Sequence, residues 1–470
     1  MTHTMTRPPA RLYLSALHKG SGKTSLSVGL AGALNRRGLA VHPYKRGPDY
    51  IDPGWLTLAS GRPCRNLDYH TMECDEIRAE VAAADGDLAL IEGNKGLHDG
   101  LDPDGRDSNA ALAAELQAPI VLIVDARGMT RGIAPTVLGH AGFDPQAPVA
   151  GVILNRVGGA RHERKLRQAL ERYTDLPVLG AVPNHPELHI EAPYLGLIPA
   201  AEQERAQGIV DLWADRAEAH LDLEGLRELA ATAPPLHAPA QPNTAARRAD
   251  VDIGIAHDRA FNFYYPGDLE ALERAGARLR WIDLTADTEL PAVDGLIIGG
   301  GFPERHAAEL AANHAMKRAV AEASAAGLPI YAECGGLLYL CRRLNTGDGH
   351  HIMAGVFPLD AEMTGRPQGH GYMTLQTTPE TPWSPAPGTT ALPAHEFHYS
   401  RLREPVPEEL PCAYRVTRGQ GLGGCRDGLI KGNTVASYAH LRHTWTTPWA
   451  ERFVAFVREQ RRSAAPTAPC

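Results

Sequence analysis

The chain has 470 residues, 43% hydrophobic and 22% charged, and its 47 basic against 55 acidic side chains leave a net charge of −8. That length accommodates two or three domains, each with its own core, and the composition is ordinary for a soluble globular enzyme. The acidic balance lacks the basic footprint of a nucleic-acid binder, so an anionic substrate needs locally placed Lys or Arg. Seven cysteines, Cys64, Cys74, Cys334, Cys341, Cys412, Cys425 and Cys470, are odd in number and irregularly spaced. This fits reduced thiols in a cytosol, and no Cys-x-x-Cys pair suggests structural zinc. The opening MTHTMTRPPARLYLSAL lacks the apolar region and cleavage site of a secretory signal, and no later run approaches membrane-spanning length. The expected location is therefore the cytoplasm, with no membrane partner.

Residues 11–17 (RLYLSAL) predict a strand that runs into His18-Lys19-Gly20-Ser21-Gly22-Lys23-Thr24-Ser25 and then a helix to about Arg37. Strand, glycine loop, Lys-Thr and helix form a phosphate-binding grammar: backbone N–H groups wrap phosphate oxygens, Lys23 adds positive charge, and Thr24 offers a hydroxyl to Mg²⁺. Gly20, Ser21, Gly22, Lys23, Thr24 and Ser25 are thus the candidate ATP contacts. The match is partial, because the full pattern wants glycine where Leu17 stands, and a ligand-free glycine turn is the bland alternative. Lys19 is not at the position of the extra lysine of partitioning ATPases.

Near-continuous apolar runs at Val41–Tyr44, Leu88–Gly93, Ile120–Ala126, Val149–Asn155 and Leu176–Val182, with helical segments between, predict a parallel sheet buried on both faces. Glu92 closes one such strand, where it either holds a metal and its waters or caps a loop. The loop from Lys45 to Pro53 carries Asp49, Tyr50 and Asp52, and Asp68 follows shortly after. Such a Gly/Pro-rich acidic loop is either a set of Asx turns or, beside a phosphate loop, a place to order Mg²⁺ and an acceptor substrate. A second acidic glycine loop, Glu92 to Gly100, contains Asp99 at the expected carboxyl edge of the sheet, where open α/β folds bind ligands.

Residues 230–250 are rich in Ala and Pro without a hydrophobic period and predict an interdomain linker. The α/β pattern then restarts with strands at Val251–Ala256, Leu279–Leu284, Leu296–Ile298 and Leu328–Ala332, and helices at Asp268–Ala275 and Ala307–Ala326. The last of these strands runs into Cys334-Gly335-Gly336 and an apolar helix start, the layout of a nucleophile elbow. A buried structural cysteine is the alternative. Shorter apolar runs follow to Thr434–His440, then a helix around Pro448–Arg461. No repeat of solenoid period is present.

Taken together, Gly20–Thr24; Lys45 with Gly47–Pro53; Asn66–Asp68; Glu92-Gly93 with Gly96-Leu97 and Asp99-Gly100; Ala260-Phe261 with Phe263–Tyr265; Gly299–Glu304; Ala332–Gly336; and Ala436–Tyr438 with His440-Leu441 resemble the cobyrinic acid a,c-diamide synthase family. The resemblance covers nearly the whole chain. It implies a P-loop NTPase-like, dethiobiotin synthetase-like parallel-sheet domain at 8–229, a linker at 230–250, and a class I glutamine amidotransferase α/β domain at 251–462. The family commonly carries His at position 56 and Asn at position 268, where this chain has Leu56 and Asp268. The wording of the Glu92–Gly100 loop resembles members associated with sulfur metabolism, thought to amidate sirohaem rather than a corrin.

The implied activity is ATP- and glutamine-dependent amidation of the a and c acetates of a cobyrinate or hydrogenobyrinate through an acyl phosphate. Sirohaem amidation stands close behind. A P-loop switch or scaffold with a non-catalytic glutaminase-like domain is the reading from another class. By the resemblance Cys334 is the nucleophile, His440 its base, and Gly300 or Gly301 with Gly335 the oxyanion donors. Many relatives place a Glu two residues after the His; Arg442 stands there, which implies a dyad. Thr24, Asp49 and Glu92 are the implied Mg²⁺ ligands, and Asp49, Tyr50, Asp52 and Asp99 the substrate contacts. The implied partners are L-glutamine, ATP and a tetrapyrrole polycarboxylate, without nucleic acid; a homodimer is compatible with the resemblance. Ammonia must pass from the glutaminase to the synthetase domain.

Overall fold

The computed structural model describes residues 10–184, 200–241, 246–383 and 391–464, which fall into two compact units, 10–184 with 200–241 and 246–464. Among these residues no helix is long and apolar enough to cross a membrane.

In the first unit seven strands form one sheet: β1 Ala10–Ala16, β2 Val41–Arg46, β3 Arg65–Leu67, β4 Leu88–Glu92, β5 Ile120–Asp125, β6 Val149–Val157 and β7 Val178–Pro183. Their order is β3-β2-β4-β1-β5-β6-β7, with all pairings parallel. Strands covered on both faces need apolar residues at consecutive positions. Ile120 to Val124 accordingly are all buried. The helices are α1 Lys23–Arg36, α2 Ile51–Ser60, α3 Cys74–Ala82, α4 Asn109–Glu115, α5 Ile133–Phe143, α6 Ala160–Tyr173, α7 Ala200–His220 and α8 Leu223–Ala231. β1, between β4 and β5, delivers the glycine loop to the carboxyl edge of the sheet, and β2 and β4 deliver the acidic loops to the same edge. The predicted strands appear with their ends shifted by a residue or two. β3 lies where only a motif was read, because three residues are too few to show a period.

The second unit contains β8 Val251–Ala256, β9 Phe261–Phe263, α9 Pro266–Arg274, β10 Ala277–Ile282, β11 Gly295–Ile298, β12 Gly300–Gly301, α10 Ala307–Ala312, α11 His314–Ala325, β13 Ile330–Glu333 and α12 Gly335–Leu340. Then come β14 Cys341–Thr346, β15 Gly349–Ile352, β16 Phe357–Met363, β17 Gly369–Thr377, β18 Ala391–His398, β19 Ser400–Leu402, β20 Cys412–Arg418, β21 Arg426–Lys431, β22 Thr434–Ser437 and α13 Trp449–Ala464. The main sheet runs β10-β8-β11-β13-β22-β21-β20-β17-β18. It is parallel from β10 to β22 and antiparallel from there to β18.

Three local differences from the sequence reading have physical causes. The helix predicted over Ala307–Ala326 breaks at Asn313, whose side chain accepts from Met316 N at 3.2 Å to cap α11 and donates to the carbonyls of Leu284 and Asp287. The stretch after β13, read only as short apolar runs, is strand-rich, because its strands alternate buried and exposed positions that Gly and Pro interrupt. In the predicted linker, Leu236 is buried and Pro234 O accepts from the Arg11 guanidinium, whereas Arg247 N donates to Arg274 O and Asp250 N to Gly276 O.

Candidate active sites

The glycine loop leaves β1 and turns at Gly20 and Gly22, with φ of 83° and 93°, before α1 begins at Lys23. Ser21 Oγ donates to His18 O at 2.9 Å, closing the loop on itself. The Lys23 ammonium donates to the carbonyls of His18 and Lys95, which ties the phosphate loop to the second acidic loop. Burial, helped by the nearby Lys45 charge, lowers Lys23 to about 8. Thr24 Oγ1 lies 3.1 Å from Asp52 Oδ2 and 2.9 Å from Glu92 Oε1. Ser25, half-buried, follows in the first turn of α1.

Lys45, at the end of β2, is the cation among these carboxylates. Its Nζ is 2.5 Å from Asp52 Oδ2, 2.7 Å from Glu92 Oε1 and 3.9 Å from Asp49 Oδ2. Burial alone would lower its affinity for a proton, but the Asp52 and Glu92 charges outweigh that and raise it. Asp49 Oδ1 accepts from Ile51 N at 2.9 Å and Asp52 N at 3.1 Å, capping the start of α2, and burial beside Asp52 pushes its carboxyl up. Tyr50 immediately precedes α2. Asp68 folds onto its own turn, accepting from His70 N at 3.0 Å, and exposed Asp99 accepts from Gly96 N at 2.9 Å. Glu92 is fully buried, yet its Oε2 has no hydrogen-bond partner among the described residues. Thr24 Oγ1, Asp52 Oδ2 and Glu92 Oε1 cluster around the Lys45 ammonium, and oxygens of this kind are the donors a hard divalent cation takes.

In the second unit β13 ends at Glu333 and Cys334 turns at φ 47°, ψ −97° before α12. Cys334 N donates to Ser437 O at 2.7 Å and Gly336 N to Gly299 O at 3.2 Å, so the elbow is pinned between β22 and the end of β11. Its Sγ, almost buried, lies 4.0 Å from Phe397 O on β18. Gly300 and Gly301 pair with Phe263 and Phe261, and a Cβ built on Gly335 would lie 3.2 Å from Gly301 N, so these backbones meet at the elbow. His440 is buried beside them: a Cβ on Gly300 would sit 2.6 Å from its Cε1. Burial by itself would lower the imidazole, but Cys334 and Glu333 outweigh it and raise it to about 10. The loop bearing His440 is held by buried Asp427, which accepts from Tyr438 N at 3.0 Å and Ala439 N at 2.9 Å. At the following turn Asp268 accepts from His443 N at 2.9 Å and Trp449 Nε1 at 3.1 Å, and burial pushes it up to about 7.

Several residues at these sites escape the sequence reading. Asn155 Nδ2 donates to Ser21 O at 2.8 Å and Arg156 Nη1 to Gly20 O at 2.8 Å, so the end of β6 braces the phosphate loop. Glu333 Oε2 stands 3.3 Å from His440 Nδ1, so the imidazole has a carboxylate neighbour where Arg442 implied none. His395 stacks on His440 with centroids 4.8 Å apart. Glu396 accepts from Gln420 N and Gly421 N and lies 3.4 Å from His398, whose ring stacks on Tyr438 at 3.7 Å. A signal existed: Glu396 and His398 fall at the period-two positions of apolar Leu392 and Ala394, the buried face of the strand. Such groups are seldom buried without a partner.

Residues 17–194 match the model of the CobQ/CobB/MinD/ParA nucleotide binding domain, and residues 252–445 that of the CobB/CobQ-like glutamine amidotransferase domain. A Magnetococcus marinus protein named cobyrinate a,c-diamide synthase is 45% identical over 458 residues, which span 96% of this chain and 97% of its own. The chain belongs to the cobyrinate a,c-diamide synthase family. Proteins of the same name are 40% identical in Methanosarcina acetivorans, over 97% of both chains, and 41% identical in Syntrophotalea carbinolica, over 95% of this chain and 98% of that one. As a member of the cobyrinate a,c-diamide synthase family, it is a ligase that forms C–N bonds with a glutamine amidotransferase domain and a nucleotide-binding domain.

Proposed function

We propose that the chain amidates the a and c acetate carboxylates of a cobyrinate- or hydrogenobyrinate-type tetrapyrrole, in the cytoplasm, with ammonia drawn from L-glutamine and ATP as the activating reagent. The observation that carries the reading is the presence, in one chain, of the Cys334–His440 elbow and of a phosphate loop whose Thr24 faces Asp52 and Glu92. The relatives named cobyrinate a,c-diamide synthase, matched from end to end, supply the substrate class.

The glutaminase half, assigned to 251–462, works as follows. The Cys334 sulfur attacks the glutamine carboxamide carbon, backbone N–H groups of Gly300 or Gly301 and of Gly335 take the developing oxyanion, and His440 protonates the departing ammonia. Such donors contribute roughly 3 to 4 kcal/mol each in other enzymes. Water then releases glutamate from the thioester, and His440 takes its proton.

The synthetase half, assigned to 8–229, transfers the γ-phosphoryl group of ATP to a substrate carboxylate oxygen, releasing ADP. Ammonia attacks the acyl phosphate carbon, and phosphate leaves to give the amide. Gly20 to Ser25 cradle the phosphates with Lys23 as counter-charge. Thr24, Glu92 and Asp52 would hold Mg²⁺, with Asp49 beside them. When bound, the ion offsets charge on the β- and γ-phosphates. Asp49, Tyr50, Asp52 and Asp99 line the acceptor side, and Lys45 keeps the buried carboxylates neutralised until substrate arrives.

Incubation with cobyrinate or with sirohaem, each with ATP, Mg²⁺ and glutamine, followed by mass spectrometry of the amides, tests the reading. The expected product is the diamide of cobyrinate. Amidation of sirohaem alone would transfer the activity to the sirohaem branch, and ATP turnover that answers to a protein but to neither tetrapyrrole would favour a switch and sink both.

A further inference from the structure

We propose that Glu333, the residue immediately before the nucleophile, is the positioning carboxylate of His440, the task that other class I glutaminases give to a residue two places after the histidine. The proposal rests on the glutaminase reading of Cys334 and His440. Position 442 has no carboxylate: its arginine lies over the Tyr265 ring, 5.1 Å from the centroid. The Glu333 carboxylate divides its oxygens between two tasks. Oε1 accepts from Tyr331 Oη at 2.5 Å and from Leu441 N at 2.9 Å, which fixes the carboxylate to β13 and to the residue after the histidine. That leaves Oε2 3.3 Å from His440 Nδ1, at ion-pair distance.

The imidazole is then held on three sides. His395 covers one face, stacked 15° from parallel; Gly300 leaves room at Cε1; and Glu333 stands at Nδ1. A carboxylate at Nδ1 fixes the tautomer whose Nε2 faces the sulfur and stabilises the imidazolium once the proton has moved. Consecutive residues on a strand ordinarily point to opposite faces. The turn at Cys334, with φ 47°, is what brings nucleophile and carboxylate to one ring. The other titratable groups facing this pair are His395 on the imidazole and Tyr331, Tyr264, Tyr414 and Asp268 around Glu333.

The test is glutamate release from glutamine by the full-length wild type, Glu333→Gln and Glu333→Asp, measured as kcat and KM across pH. Gln keeps an oxygen for Leu441 N and removes only the charge, so the variant should fold, with a melting temperature lowered at neutral pH by loss of the imidazolium's partner, while kcat falls about 100-fold and KM stays within about twofold. Its alkaline limb should move to lower pH, because loss of the carboxylate lets the imidazolium deprotonate sooner. Asp should recover part of kcat and restore the limb. Wild-type kcat and pH profile in Glu333→Gln would overturn the proposal. So would equal loss in Gln and Asp with no movement of the limb, the mark of a merely structural residue. If Gln does not fold, Asp decides alone through the split of its kinetic constants: a reduced kcat at wild-type KM supports the role, and an unchanged kcat, or kcat and KM that worsen together, refutes it. A wild type that neither hydrolyses glutamine nor is alkylated at Cys334 by a diazoketone analogue of glutamine would bring down the glutaminase reading itself. An active wild type with an indifferent Glu333→Gln brings down only Glu333.

Discussion

Lys45 shows how much of the first site depends on one side chain. Its ammonium sits between Asp52 and fully buried Glu92, so Lys45→Met would leave two carboxylates facing each other without a cation. Removing one partner of a buried pair costs about 3 to 5 kcal/mol, and urea denaturation should read a loss of that size together with weakened ATP binding. Unchanged stability would show that Asp52 and Glu92 are not both ionised. At the other site, Cys334→Ser should abolish glutamine-driven amidation and spare ammonia-driven amidation; equal loss with both nitrogen donors would refute a separate glutaminase. The raised imidazole of His440 also gives stability a pH dependence. Folded at about 10 and unfolded near 6.5, it contributes fully below about pH 6.5 and progressively less as pH climbs towards 10. His440→Gln should therefore lose less stability than the wild type between neutral and alkaline pH, and parallel curves would count against the raised value.

At the scale of elements, the elbow works because α12 starts hard against β11. A Cβ on Gly336 would meet Ile298 O at 2.2 Å, a contact no real side chain makes. Gly336→Ala must push the helix off the strand, at about 1 to 3 kcal/mol, and carry the Gly335 N–H away from the sulfur. The expected result is a loss of glutamine hydrolysis with ATP binding intact; retained hydrolysis would mean the oxyanion donors lie elsewhere. The glycine pair was legible in the sequence because only a residue without Cβ tolerates such an approach. The β18 strand was not. Its Glu396 and His398 drew no reading from the sequence, because what satisfies them, the N–H groups of Gln420 and Gly421 and the Tyr438 ring, comes from other segments.

At the scale of the whole molecule, separate hydrophobic clusters serve the two units, one around Leu122 and Leu154, others around Ile298 and Phe453. Calorimetry of the intact chain should resolve two transitions, of which ATP with Mg²⁺ raises one; at about one hundred times Kd the gain is about 2.7 kcal/mol. A single transition raised as a whole would argue for one cooperative body. The sequence by itself determined the parallel sheet of the first unit, the glycine loop, the elbow turn and the family, because these rest on local spacing and on glycines whose backbone role is set within a few residues. Only the tertiary structure decided that Asp52 shares Thr24 with Glu92 while Asp49 caps a helix, that Asn155 and Arg156 brace the loop, and that Glu333 and not residue 442 faces His440. Each of those pairings joins side chains from different strands or loops, and which carboxylate reaches which cation is set by strand order and backbone turn, quantities that no run of neighbouring residues encodes.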